Sequence, residues 1–101
     1  MLRVQLEARE DGEPLTLLIP VDDEMKLDVS VPEPWLFRGR WDGELLYGEL
    51  RPEPSGIALP WSDGDRMTID LEDVPVRVGR IFTVDGSDGR FHYLVRDVQR
   101  I

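Results

Sequence analysis

No cysteine occurs in the 101-residue chain, and histidine occurs once, at His92. The first absence excludes a disulfide framework, a thiol nucleophile and every thiolate metal site, and the second excludes centres that need two imidazoles. Long apolar stretches are also missing. The longest charge-free run near the start begins at Pro14 and ends at the acids Asp22 and Asp23, whereas a spanning helix needs about 20 apolar residues. No targeting or membrane segment is therefore expected, and the chain reads as soluble and cytoplasmic. Helical periodicity is absent too: no segment between breaks places apolar residues at i, i+3 and i+4.

What the chain has in excess is acid. The formal net charge is −9, and it is unevenly placed. Residues 1–75 hold 18 acids against 7 bases, a net of −11, and residues 76–101 hold 3 against 5, a net of +2. An acidic surface repels phosphate backbones and anionic lipid, which argues against nucleic acid or membrane as a partner and makes a basic protein the natural complement. The bland alternative is that most of these carboxylates solvate turns and outward strand faces.

Turn chemistry divides the chain. Asp-Gly occurs at 11–12, 42–43, 63–64, 85–86 and 88–89, and prolines cluster at 32 and 34, at 52 and 54, and at 60 and 75. Between these breaks the apolar residues alternate: Leu2, Val4, Leu6 and Ala8; Leu27, Val29 and Val31; Met67, Ile69 and Leu71. Each set reads as a half-buried antiparallel strand. Leu15 to Ile19, nearly continuous in apolar residues, reads as a strand covered on both faces, while the acids from Asp22 could open a single helical turn before Leu27. The expectation is one all-β domain over 1–101, a small antiparallel barrel or sandwich of about seven or eight short strands, preferably a partly open barrel whose first and last strands pair.

Two hairpins can be registered. A two-residue turn at Asp42-Gly43 opposes Trp41 to Glu44, Phe37 to Gly48 and Trp35 to Leu50, with Trp35, Phe37, Trp41, Leu46 and Leu50 on the core face. A symmetric loop at Asp85 to Gly89 opposes Thr83 to Phe91 and Ile81 to Tyr93, and sets Arg77 against Asp97. It gathers Val78, Arg80, Phe82, Val84, Arg90, His92, Leu94 and Arg96 on a basic, aromatic-interleaved face. A one-residue bulge would exchange the faces.

No enzyme, cofactor or metal is expected. Asp85 to Gly89 and Asp63-Gly64-Asp65 invite a calcium reading, but Asp85 to Gly89 has neither the alternating acids nor the closing glutamate of a calcium loop; no glycines have phosphate-loop spacing. His92 with Ser62 or Ser87 has no nucleophile elbow around it. The sequence thus favours a non-catalytic protein-binding domain whose acidic surface engages a basic partner, most concretely an immunity or inhibitor protein. Its expected binding residues are the cluster Asp22, Asp23, Glu24 and Asp28, and Trp61 with Asp63 and Asp65, an aromatic anchor at a turn edge. An alternative binding face carries Arg80, Arg90, His92 and Arg96. Two other functions compete: a homo-oligomeric structural domain that docks its basic final hairpin on the acidic surface of the next copy, and a small-ligand or carbohydrate-binding barrel with aromatics at one mouth.

Overall fold

Eight strands run in chain order around a closed antiparallel barrel in the computed structural model, which describes residues 1–32, 34–54, 56–62, 64–87 and 89–101. They are β1 (Leu2–Ala8), β2 (Pro14–Ile19), β3 (Trp35–Trp41), β4 (Glu44–Glu53), β5 (Gly56–Pro60), β6 (Arg66–Ile69), β7 (Ile81–Gly86) and β8 (Gly89–Arg100). Each pairs with its neighbours in sequence, and β1 closes the cylinder against β8. The expected pairing of first and last strands is therefore present, and the barrel is closed rather than partly open. Among the described residues there is no helix, hence none long and apolar enough to cross a membrane.

Period-two alternation decides which side chains fill the interior. Leu2, Val4, Leu6 and Ala8 of β1 point inward, as do Leu15, Leu17 and Ile19 of β2, Trp35 and Phe37 of β3, and Leu46 and Leu50 of β4. Ile57, Leu59, Met67, Ile69, Phe82, Val84, Tyr93 and Val95 join them in the core cluster. An eight-stranded barrel encloses a space that side chains can fill, and here they fill it. A meander places alternate connections at opposite ends. The β2–β3, β4–β5 and β6–β7 connections share one end with the chain termini, and the β1–β2, β3–β4, β5–β6 and β7–β8 connections share the other.

The first hairpin forms as read, from Trp35↔Leu50 through Phe37↔Gly48 to Trp41↔Glu44. Asp42 and Gly43 both have positive φ, 50° and 79°, as a type I′ turn requires.

Three expectations need correction. The strand over Leu27 to Val31 does not form; one bridge, Val21↔Leu27, is all that remains. Local bonds take its backbone instead: Asp22 Oδ1 accepts the amides of Glu24 and Lys26, and Asp28 Oδ1 accepts the amide and hydroxyl of Ser30. The same bonds dispose of the helical turn, since Met25 has φ 63°. Second, β2 is covered on one face only: Thr16 and Leu18 are half-buried on the outside.

Third, the final hairpin is shifted by one residue. Its ladder runs Ile81↔Leu94, Phe82↔Tyr93, Thr83↔His92 and Val84↔Phe91 to Gly86↔Gly89. The ladder continues to Gly86 and Gly89, inside the expected five-residue loop; Asp88 lies outside the described residues. Gly89 at φ 130° supplies a conformation that side-chain-bearing residues avoid. The shift turns Phe82 and Val84 into the core, off the face expected to be basic and aromatic. On its other side β8 sets Asp97 opposite Gln5 of β1, beside a bulge that leaves Arg96 unpaired in that ladder, and the expected pair of Arg77 with Asp97 is not part of the β7–β8 ladder, which stops at Ile81↔Leu94.

Candidate binding surfaces

The acidic cluster sits on the long connection between β2 and β3, at the barrel end that also holds the β6–β7 connection. The backbone joins the two: the Val76 amide donates to the Met25 carbonyl at 2.8 Å. Leu27, Leu71 and Val76 turn inward beneath these loops and plug that end. The acids Glu72 and Asp73 are thereby brought to the same end as Asp22, Asp23 and Glu24, a grouping that sequence separation conceals. Two valines there are exposed, Val29 at 59% and Val78 at 64%.

Not every carboxylate of the cluster is available. Asp22 and Asp28 cap turn amides as above, and the Ser30 hydroxyl, followed by its amide, holds Asp28 below its ordinary range. Glu24 lies 3.7 Å from the Lys26 ammonium. Among the described residues Asp23, Glu72 and Asp73 have no internal hydrogen bond or ion pair.

Trp61 contradicts the expectation of an exposed anchor. It is 4% exposed, packed edge-on against Phe37 at 5.1 Å and tilted against Trp41 at 6.3 Å. Gly39 makes the space, since a Cβ there would lie 3.2 Å from Trp61 Cη2. The turn holds the residue by its backbone, Trp61 N–H to the Asp65 carbonyl at 2.9 Å. Its Nε1 has no acceptor among the described residues. Trp41, itself edge-on to Phe91 at 4.7 Å, fills the rest of this mouth. Asp65 lies in that turn, at the end of the barrel opposite the first acidic cluster, so the two predicted acidic groups are not brought together. Asp63 lies outside the described residues. Ser62 Oγ accepts the Tyr47 amide at 3.2 Å.

The alternative basic face is largely compensated. Arg90 Nε donates to Asp85 Oδ1 at 2.8 Å, which raises the guanidinium's already high pKa. His92 Nδ1 lies 2.8 Å from Glu10 Oε2, and the His92 amide donates to Glu10 Oε1 at 3.0 Å. That amide bond, more than the ring, holds the Glu10 carboxyl below its ordinary range. The pair clamps the β1–β2 turn onto β8, with Arg9 N–H donating to the His92 carbonyl at 2.8 Å. Arg96 is 4.0 Å from Glu7. Arg80 is exposed, and its backbone carbonyl accepts the Val95 amide at 2.8 Å.

One surface was not anticipated. On the outer face of β1–β4 a groove of about 620 Å³ is lined by Arg3, Thr16, Leu18, Leu36, Arg38, Tyr47 and Glu49, with Phe37 and Gly48 completing it. Its signal in the sequence is apolar residues at outward positions: Leu18 within the apolar run, and Leu36 and Tyr47 between the core-face residues of the first hairpin. Among the described residues no three potential metal ligands converge. Comparisons with protein-family models, with curated proteins and with solved structures give no match to this chain.

Proposed function

We propose that the chain is a non-catalytic protein-binding domain that engages a basic protein through the loop-covered end of its barrel, most concretely as an immunity or inhibitor protein that neutralises a cationic partner. The observation that carries this reading is the make-up of that end: exposed Val29 and Val78 on the same two loops as Asp22, Asp23, Glu24, Glu72 and Asp73. Apolar side chains within a charged rim are the anatomy of a specific interface. The net charge of −9 adds long-range attraction for a cation, raising the association rate more than the lifetime of the complex. Packing supports an external site, since Trp41, Trp61 and the core side chains occupy the space a ligand inside the barrel would need.

The test is affinity capture from a lysate of the source organism, with the native chain and with Asp23→Lys/Glu72→Lys/Asp73→Lys. The reading expects a stoichiometric basic protein that the triple variant fails to retain at physiological salt. A partner held equally by both forms rejects this surface.

A further inference from the structure

The groove lies on the outer wall of β1–β4, its Leu18 and Leu36 next to the strand ends that lead into the β2–β3 connection. Strand register orders its lining into two rows. Arg3, Leu18, Leu36 and Glu49 stand opposite one another in succession across β1 to β4, and Gln5, Thr16, Arg38 and Tyr47 form the next row. Leu18 and Leu36 therefore make an apolar centre with a guanidinium at one end. The Tyr47 ring, 64% exposed, and Arg38 flank it. A barrel exterior facing only water would carry polar side chains at these positions; Leu36 is instead 40% exposed.

The charges favour an anion. Arg38 has no hydrogen bond or ion pair among the described residues. Arg3 is held by Gln99 through its terminal nitrogen, while its Nε is shut away from water with no acceptor. A carboxylate in the groove meets the positive charge of the Arg3 and Arg38 guanidinium groups that line it. Glu49 is the acid that lines the groove, against two arginines. The volume falls within the roughly 300–1,000 Å³ typical of small-molecule sites.

We infer that this groove binds a small amphipathic carboxylate, its apolar body on Leu18, Leu36 and the Tyr47 ring and its carboxylate between Arg3 and Arg38. The inference is independent of the protein-binding surface.

Amide-resolved NMR titration with decanoate below its micellar concentration tests it, with decyltrimethylammonium as the cationic counterpart. The expected result is saturable shifts centred on Leu18, Leu36, Arg38 and Tyr47 with decanoate, and binding about tenfold weaker in Arg38→Gln, as loss of a charge-assisted contact implies. Because Arg38 is on the exposed face, this variant should keep the native melting temperature and spectrum. Equal affinity for the cationic amphiphile, decanoate shifts centred elsewhere, no saturable shifts, or unchanged affinity in folded Arg38→Gln would each overturn the assignment.

Discussion

Trp61 is the residue at which local sequence misleads most. Pro60 before it and Ser62 with acids after it describe a turn edge, and the turn is there; the indole nevertheless enters the core, because Gly39 of another strand vacates the volume. Trp61→Ala should therefore cost about as much as Trp35→Ala, roughly 3–5 kcal/mol each, read from urea denaturation. A Trp61 variant near native stability would return the ring to the surface. Gly48 is a sharper steric case, since a Cβ there would stand 2.5 Å from the Pro60 carbonyl oxygen and 3.0 Å from the Phe37 ring. Backbone oxygen cannot rotate aside as a side chain can, so Gly48→Ala should lose at least about 1–3 kcal/mol by the same measurement. Tyr93 sets an alkaline limit. Burial, then the charges of Asp11, Glu10 and Glu13, pushes its phenol up to about 12, against about 10 in an unfolded chain. The stabilisation is complete below about pH 10 and is lost as pH rises through about 12, because the unfolded chain releases the proton first. At about 1.4 kcal/mol per pH unit the loss reaches roughly 2–3 kcal/mol. Tyr93→Phe should flatten that limb of stability against pH; an unchanged limb would place the titration elsewhere.

Among elements, the two hairpins explain how far alternation can be read. At Asp42-Gly43 the dipeptide, the ring of Phe37 over Gly48 and the apolar spacing all demand one register, and the ladder has it. The segment from Asp85 to Gly89 contains two Asp-Gly pairs, and both flanking strands are apolar at alternate positions whichever way they slide. Only closure of the barrel, which requires Phe82 and Val84 inside, chooses between the registers. Thr83 and His92 face each other with their amides turned outward to Asp70 and Glu10, the arrangement of a close, non-hydrogen-bonded pair. Cysteines at 83 and 92 should oxidise to a disulfide readily, and cysteines at 83 and 91 should not; the opposite outcome would restore the five-residue loop. The segment from Leu27 to Val31 departs from its expected strand for another reason: its alternation is that of a strand, but Asp28 binds the Ser30 amide, as Asp22 binds the amides of Glu24 and Lys26, and these local bonds replace a ladder. The interface candidates show the same division: the first acidic cluster is visible in the sequence, whereas Glu72, Asp73 and Val78 join its end of the barrel only through the Val76–Met25 bond.

Taken whole, the molecule is a filled barrel with different chemistry on its outside: acids and exposed valines on the loop-covered end, arginines with leucine and tyrosine along β1–β4, and compensated ion pairs on β8. A net charge of −9 with one acid-rich end predicts salt-sensitive capture of a cation. Once a partner is in hand, the Asp23→Lys/Glu72→Lys/Asp73→Lys chain should associate more slowly and with weaker salt dependence, as stopped-flow mixing would measure, and Val78→Ser should mainly speed dissociation. Equal effects of both changes on association alone would remove the valine from the interface. The most direct test is site-specific photo-crosslinking in the source organism, with a benzophenone side chain placed in turn at Val29, Val78, Leu45 and Thr83. The account predicts one adduct with a basic protein from Val29 and Val78, and none from Leu45 or Thr83. Adducts of equal yield from all four positions, or an adduct with a second copy of this chain, would contradict it.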